Sequence, residues 1–313
     1  MTSQYEALSP SNLTWHASLY AHVNQHRATA AGLAIALLGL LLLLAQNISN
    51  LIGGNVGPQV AWASMAGGAG FAATALGAML ALLLKGMPQK IEDSMLGFAA
   101  GMMLAASAFS LIIPGIAAGT DLFQSRFLGS GIVIVGLALG TLLMLGLDQF
   151  TPHEHTSTGP CGPGYELCQR GWLFVFAIAL HNLPEGMAMG VSFAQGDMAV
   201  GLPLSAAIAI QDIPEGLAVA LALRGSGMKP IHAVLIAAAS GLLEPIGALL
   251  GVGLSGGMAF AYPLGLGLAA GAMLFVVSHE VIPETHRNGH QTPATLGLMG
   301  GFALMLLLDT ALG

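Results

Sequence analysis

The chain has 313 residues, of which 55% are hydrophobic and only 7% are charged, and its mean hydropathy is +0.78. Soluble domains carry about 25% charged residues, so this composition excludes soluble enzymes and predicts a polytopic membrane protein. The 15 acidic residues outnumber the 8 basic ones, and this balance argues against a nucleic-acid partner because phosphate backbones are bound by basic surfaces.

Nine stretches of the chain are long and apolar enough to cross a bilayer as helices, since a crossing needs about 20 mostly apolar residues. In chain order they are residues 28–46, 60–84, 94–118, 128–148, 172–195, 200–223, 231–254, 260–281 and 294–312. Their small residues, such as Ala69, Ala73 and Gly77, favour close helix packing. The first stretch could be a signal peptide, but no A-x-A cleavage site follows it, so we interpret it as a retained helix.

The basic residues predict the orientation of the chain in the membrane. With a cytoplasmic N-terminus, seven of the eight lie on the cytoplasmic side: Arg27, Lys85, Lys90, Arg170, Arg224, Lys229 and Arg287. Only Arg126 lies outside, in agreement with the positive-inside rule. We therefore expect a polar cytoplasmic leader (residues 1–27), an additional N-terminal transmembrane helix (28–50), a membrane-embedded core (60–313) and a C-terminus outside the cytoplasm.

The longest cytoplasmic loop in this orientation, residues 149–171, combines histidines with both cysteines of the chain. Pro-His-Glu-His is followed by Cys161 and Cys168. Cytosolic thiols stay reduced, so we expect no structural disulfide. His153 and His155 could trap or sense a metal ion, although the spacing matches no compact finger motif. The Gly and Pro content also suits a flexible polar loop.

One seven-residue motif occurs twice inside the predicted membrane. Leu-His-Asn-Leu-Pro-Glu-Gly at 180–186 is matched by Ile-Gln-Asp-Ile-Pro-Glu-Gly at 210–216, in the next span, which runs in the opposite direction. Residues three and four apart share one helix face, so each copy directs three ligand-type side chains to one side. These are His181, Asn182 and Glu185 in the first copy, and Gln211, Asp212 and Glu215 in the second. Pro184 and Pro214 remove backbone donors and are expected to bend both helices there.

The charge of this region predicts a site for two cations. Four carboxylates carry a formal charge of −4: those of Glu185, Asp212, Glu215 and, in the next span, Glu244. A charge at the middle of a span costs about 2.5–3.5 kcal/mol on insertion scales, and two divalent ions would neutralise the cluster. One imidazole, carboxylates, amides and the thioether of Met103 suit Zn²⁺, Cd²⁺, Fe²⁺ or Mn²⁺ better than Cu⁺ or an all-oxygen Mg²⁺ or Ca²⁺ site. Interhelical hydrogen bonding is the alternative, but it explains one or two polar residues more readily than seven.

The two motif copies, the Glu244 helix and Ser-His-Glu-Val-Ile-Pro-Glu at 278–284 resemble the ZIP (Zrt/Irt-like) family of metal-ion transporters. In detail they are similar to its bacterial GufA-like branch, and the resemblance runs from about residue 60 to the C-terminus. It implies an all-α polytopic bundle of eight core transmembrane helices, here with one extra helix at the N-terminus. It also implies uptake of divalent metal ions, above all Zn²⁺, into the cytoplasm through a binuclear site. We expect this chain in a bacterial inner membrane, as a homodimer in the lipid bilayer.

The resemblance also implies which residues bind metal. One ion would be held by His181, Glu185, Gln211 and Glu215 with help from Met103, and the second by Asn182, Asp212 and Glu244, with Glu185 and Glu215 bridging. Many eukaryotic members have histidines in place of Gln211 and Glu215. The site of this chain is therefore expected to be harder and richer in oxygen ligands.

Further residues are implied in an exit route or auxiliary metal site near the cytoplasmic ends of the spans. They are Asp148, His279, Glu280 and His290, together with His153 and His155 of the loop. Polar residues that cap helix ends are the alternative, because span ends tolerate charge. Ser110 is expected to line the outer approach, and Asp309 is expected to be structural.

The resemblance further implies an elevator-type carrier, in which the second, fifth, sixth and seventh spans slide against the others. We expect no enzymatic activity, because an intramembrane metalloprotease needs a His-Glu-x-x-His string and the sequence contains none. A proton- or sodium-coupled carrier of an organic substrate is the remaining alternative, although it leaves His181 and the repeated motif unexplained.

Overall fold

The computed structural model describes residues 14–54, 57–84, 86–155, 159–168, 170–255 and 258–312. Its α-helices are α1 (Trp15–Gln25), α2 (Arg27–Ile52), α3 (Pro58–Leu80), α4 (Gln89–Ala105), α5 (Ile113–Phe123), α6 (Arg126–Phe150), α7 (Arg170–Ser192), α8 (Met198–Gly225), α9 (Pro230–Ser240), α10 (Leu243–Leu254), α11 (Ala261–Val276), α12 (Ile282–His286) and α13 (Gln291–Leu312). Among the described residues, eight helical segments are long and apolar enough to cross a membrane, and they match eight of the nine predicted spans. The remaining predicted span, residues 172–195, forms the 23-residue helix α7. The prediction of an all-α polytopic membrane protein is confirmed.

Four helix pairs pack through glycines that touch the backbone of the partner helix. The pairs are α3 with α8, α7 with α10, α4 with α13, and α6 with α11. Each pair contains a glycine at which an added Cβ atom would collide with a carbonyl oxygen of the partner helix. These glycines are Gly77 in α3, Gly190 in α7, Gly97 in α4 and Gly271 in α11. Since glycine has no side chain, the two backbones approach closely, as is common between membrane helices. α3 also packs against α10, so the first two pairs form one group.

Two predicted spans contain a π-helical segment: Ala106–Ile112 between α4 and α5, and Val277–Val281 between α11 and α12. Each segment is followed closely by a proline, Pro114 or Pro283. A proline has no N–H to bond the carbonyl four residues earlier, which belongs to Ser110 in one span and to His279 in the other. π segments are frequent at functional sites, and both of these contain candidate residues from the sequence analysis.

The seventh predicted span is divided immediately before its buried carboxylate. α9 ends at Ser240 and α10 begins at Leu243. Pro245 cannot donate to the carbonyl of Gly241, and the N–H of Glu244 bonds that carbonyl instead, at 3.1 Å. Glu244 therefore lies in the first turn of α10. By contrast, α7 and α8 continue as α-helices through Pro184 and Pro214.

The loop between α6 and α7 contains a small β-hairpin that the sequence analysis did not predict. Strand β1 (His153–His155) pairs antiparallel with β2 (Gly159–Cys161), so that His153 lies opposite Cys161. A 3₁₀ turn follows at Tyr165–Leu167. Gly159 and Gly162 have positive φ angles of 81° and 82°, which glycine adopts at no steric cost. β1 packs against α7 and thereby holds the loop next to the bundle.

The N-terminal part of the chain forms two helices, and the second of them packs against α6 and α10. Residues 1–13 of the predicted leader and Lys85 lie outside the described residues, and the leader from Trp15 onward forms the unpredicted helix α1. α2, which matches the first predicted span, packs against both α10 and α6. The Nδ2 atom of Asn47 donates to the carbonyl of Leu249 in α10 at 2.7 Å. The side chain of Leu33 lies against Gly146 of α6.

Candidate metal site

The two copies of the repeated motif lie side by side in α7 and α8. Glu185, Asp212 and Glu215 are all buried, and each offers one carboxylate oxygen within 4.8 Å of the others. The antiparallel direction of the two helices brings the copies together, as the motif spacing predicts. The structure therefore gathers three carboxylates from two helices in the interior of the bundle.

Two hydrogen bonds join this cluster across helices. The amide Nε2 of Gln211 in α8 donates to Glu185 Oε1 in α7 at 2.5 Å. The hydroxyl of Thr74 in α3 donates to Glu244 Oε1 in α10 at 2.6 Å. Gly70 leaves room for the same carboxylate, because a Cβ atom there would collide with Glu244 Oε2. The sequence analysis missed Thr74, whose only signal was a hydroxyl side chain within an apolar span that also contains Ser64.

The seven predicted polar ligands share one unusual property: each has a buried polar atom without a hydrogen-bond partner in the described part of the chain. These atoms are His181 Nε2, Asn182 Oδ1, Glu185 Oε2, Gln211 Oε1, Asp212 Oδ2, Glu215 Oε1 and Glu244 Oε2. Buried polar atoms are nearly always hydrogen-bonded, and leaving one unpaired costs free energy. These seven atoms lie on three neighbouring helices, α7, α8 and α10, and could bind a cation.

The two other residues predicted in or near the transport path lie on α4 and the π segment after it. Met103 is 1% exposed and belongs to an apolar cluster that also contains Leu180 and Met189. Ser110 donates its hydroxyl to Asp309 Oδ1 at 2.7 Å. This bond joins the π segment to α13.

A second cluster of ligand-type side chains lies where the hairpin meets the bundle. Asp148, His153 and Glu280 offer ligand atoms within 4.8 Å of one another. His153 Nε2 is 3.0 Å from Asp148 Oδ1 and 3.6 Å from Glu280 Oε1, and the sulfur of Cys161 is 3.6 Å from the same nitrogen. The exposed His279 is 4.0 Å from Asp148 Oδ2. The side chain of His155 lies outside the described residues. Cys161 and Cys168 form no disulfide with each other.

The contacts of His153 set its protonation state. Burial lowers the pKa of this imidazole, but hydrogen bonds to Asp148, Cys161 and Glu280 and to the carbonyl of Thr151 outweigh that effect and raise the pKa to about 12. The ring is thus an imidazolium at neutral pH. It supplies a positive charge to the two carboxylates of the second cluster.

His290 does not join that cluster. Its Nδ1 lies 2.8 Å from Oδ2 of Asp93, and the amide of Asn288 donates to Asp93 Oδ1 at 3.0 Å. Asp93 is 1% exposed and was missed by the sequence analysis. Its signal was a pair of acidic residues, Glu92 and Asp93, at the start of an apolar span.

A cavity of about 140 Å³ extends from the central site towards the hairpin side of the bundle. His181 and Glu215 line one part of it, and the acidic side chains of Glu92, Glu280 and Glu284 line another. The cavity therefore connects the central cluster with the side on which α4 and α13 begin, and acidic side chains line it together with apolar residues and Arg287.

Comparison with known proteins gives consistent matches. A family model described as "ZIP Zinc transporter" matches residues 151–309, a range that contains the seven predicted polar ligands but not Met103. The chain is 60% identical over 299 residues to the zinc transporter ZIPB of Bordetella bronchiseptica, and the match covers 96% of each chain.

More distant relatives are similar over less of the chain. The zinc transporter GufA of Myxococcus xanthus is 41% identical over 241 residues, which cover 77% of this chain and 95% of GufA. The zinc transporter ZIP11 of Homo sapiens is 30% identical over 328 aligned positions, covering 77% of this chain and 94% of ZIP11.

Proposed function

Because this chain belongs to the ZIP family of zinc transporters, we propose that it carries Zn²⁺ across the membrane into the cytoplasm through the central cluster of α7, α8 and α10. The similarity to GufA agrees with the predicted GufA-like branch. The observation that carries the proposal is the set of seven buried ligand atoms without hydrogen-bond partners among the described residues. A divalent cation would satisfy these atoms and offset their negative charge.

The proposed site holds two ions. His181, with Glu185, Gln211 and Glu215, supplies the nitrogen and oxygen ligands that Zn²⁺ prefers, and Met103 adds a thioether. The remaining ligands, Asn182, Asp212 and Glu244, hold the second ion, and Glu185 and Glu215 bridge the two. Because most of the ligands are oxygens, Cd²⁺, Fe²⁺ and Mn²⁺ are proposed as further substrates.

Proton release is proposed to accompany binding. Four carboxylates at one buried site cannot all stay ionised without a counter-charge, and metal ligands must be deprotonated to bind. Isothermal titration with Zn²⁺ in two buffers of different ionisation enthalpy measures the released protons. Equal apparent enthalpies in the two buffers near neutral pH would show that no protons leave.

The proposed transport step is an elevator movement of the helices that carry the site. α3, α7, α8 and α10 form one packed group, and this group supplies all seven polar ligands, whereas Met103 lies on α4. If the group slides along α4, the ions move with it and the thioether stays behind. Disulfide cross-linking between cysteines placed on α4 and α8 is expected to stop uptake without removing bound Zn²⁺.

The proposed setting is a bacterial inner membrane, with the N-terminus and the hairpin in the cytoplasm, the C-terminus outside, and α2 as an additional span before the core at residues 60–313. The distribution of basic residues supports this orientation. Reporter fusions at each end of the chain test it. A homodimer is proposed as well, and light scattering of the detergent-solubilised protein, corrected for bound detergent, measures its mass.

Uptake of Zn²⁺ into proteoliposomes tests the function directly. His181→Ala and Glu215→Ala are expected to abolish uptake while inserting normally. His232→Ala and Glu166→Gln are matched controls, because both residues are exposed and outside the cluster, and they are expected to retain full uptake. Full uptake by either site variant would contradict the proposed site. Elemental analysis of the purified protein gives the identity and number of the bound metal ions.

A further inference from the structure

An apolar groove of about 580 Å³ lies at the junction of α4, α8 and α13. Ile91, Met95 and Phe98 of α4, Pro214 of α8 and Pro293 of α13 line it. All three helices belong to membrane-crossing segments, and water does not fill an apolar groove in hydrocarbon. We therefore expect a lipid acyl chain to bind in this groove.

One end of this groove carries a positive charge. Lys90 is exposed, lies in the first turn of α4, and is the charged residue among those that line the groove. α4 and α13 both begin at this end, at Gln89 and Gln291. The N-cap position of α4 has no side-chain hydrogen bond, so the first backbone N–H groups of α4 add to the attraction for an anion.

The two acidic residues next to Lys90 do not oppose this charge in the groove. Asp93 is buried and bonded to Asn288 and His290. Glu92 lines the cavity that leads to the central site, on another face of α4. The groove thus combines an apolar wall with a cationic end at the membrane surface.

We propose that this groove binds an anionic phospholipid from the leaflet in which α4 and α13 begin. The phosphate lies at Lys90, and one acyl chain runs along Ile91 and Phe98 to Pro214. Basic positions between membrane helices near the cytoplasmic surface recognise anionic headgroups in this way. In the orientation proposed above, the lipid comes from the cytoplasmic leaflet.

The position of the groove links the lipid to the central cluster. Pro214 directly precedes Glu215 on α8, whereas the other walls belong to the close pair of α4 and α13. A bound acyl chain therefore touches the site-bearing group and its neighbour at the same time. This consequence for transport rests on the proposed function, but lipid binding does not.

Native mass spectrometry of the full chain from nanodiscs tests the binding. In mixed phosphatidylcholine and phosphatidylglycerol, the wild type is expected to retain phosphatidylglycerol preferentially. Lys90→Gln is expected to reduce this preference about fivefold, the effect of one basic residue at the membrane surface, and Lys90→Glu to reduce it further. Ile91→Trp, which fills the groove, is expected to release one lipid of either headgroup.

The matched control is Lys229→Gln, because Lys229 is also exposed and also precedes a membrane helix but does not line the groove. It is expected to bind lipid as the wild type does. Equal retention of the two lipids by the wild type, or the same behaviour of Lys90→Gln and Lys229→Gln, would overturn the proposal. Displacement of the lipid by inorganic phosphate alone would also contradict it.

Zn²⁺ uptake in vesicles with and without phosphatidylglycerol separates this proposal from the previous one. Faster uptake with the anionic lipid, lost in Lys90→Gln, supports the link between the groove and transport. Equal uptake in both vesicles, together with specific binding, would overturn that link. A failure of uptake in every vesicle would contradict the proposed function and leave the binding measurement unchanged.

Discussion

The two clusters of ligand-type side chains differ in what balances their negative charge. In the central cluster, each of seven side chains keeps an atom without a hydrogen-bond partner among the described residues. In the hairpin cluster, Asp148 and Glu280 surround the imidazolium of His153, at 3.0 and 3.6 Å. In the proposed function the central cluster receives a cation from outside, whereas the hairpin cluster contains one of its own. Proximity of acids and histidines therefore does not by itself identify a transport site.

We expect the largest loss of Zn²⁺ affinity when a central carboxylate that bridges the two ions is neutralised. Glu185→Gln removes the charge that joins α7 to α8 and is expected to weaken Zn²⁺ binding about 100-fold or more, since loss of an outer-shell partner alone costs 10–100-fold. Competition with a chelating dye measures the affinity. Glu166→Gln provides the control, and near wild-type affinity in Glu185→Gln would place the site elsewhere.

A smaller effect is expected from the hydroxyl that orients Glu244. Thr74→Val keeps the shape of the side chain but removes the donor to Glu244 Oε1, so affinity for the second ion is expected to fall about tenfold. Calorimetry resolves the two binding steps. Thr310→Val is the control, because the Thr310 hydroxyl bonds only within its own helix. If neither binding step weakens in Thr74→Val, the assignment of Glu244 to the second ion is wrong.

A few-fold change is expected from the thioether. Met103→Leu preserves the volume of a buried side chain and removes the softest ligand, so Cd²⁺ binding is expected to fall by a few-fold relative to Zn²⁺ binding. Paired titrations with the two metals measure the ratio. An unchanged ratio would assign Met103 to packing.

The smallest effect on metal affinity is expected in the hairpin cluster, where pH is the informative variable. With a pKa of about 12, above the ordinary value of 6.5, the His153 imidazolium stabilises the docked hairpin fully below pH 6.5 and progressively less as the pH rises towards 12. NMR of labelled histidine, assigned with His153→Gln, is expected to show a doubly protonated ring at pH 9. Loss of the proton near pH 6.5 would remove the distinction between the clusters. Zn²⁺ binding at the central cluster is expected to be unchanged in His153→Gln.

The sequence predicted the central cluster well because its signal is local. His181 to Glu185 and Gln211 to Glu215 have helical spacing, and charge is rare in the surrounding chain. The helix count and the family could be predicted for the same reason, and the family is confirmed. Which ions these residues bind stays a prediction.

Other features could not be predicted because they depend on long-range contacts. Asp148, His153 and Glu280 come from three separate segments, and His290 was grouped with them although it bonds Asp93 instead. Nothing in the sequence distinguishes Thr74, because its role depends on the hydrogen bond to Glu244. The hairpin and the π segments depend on packing that no short pattern encodes.

The glycine contacts between helices reduce the number of independent motions in the bundle. A helix whose backbone touches its partner at several glycines cannot slide or rotate against that partner without steric collision. Because Gly67 of α3 also touches the backbone of α10, the pairs α3/α8 and α7/α10 behave mechanically as one body, and the four pairs as three bodies. Glu185 belongs to the pair of α7 and α10, and Glu215 to the pair of α3 and α8. An ion between these two carboxylates therefore adds a link inside a single body, so that occupancy of the site stiffens the part that moves without changing which parts of the protein can move separately.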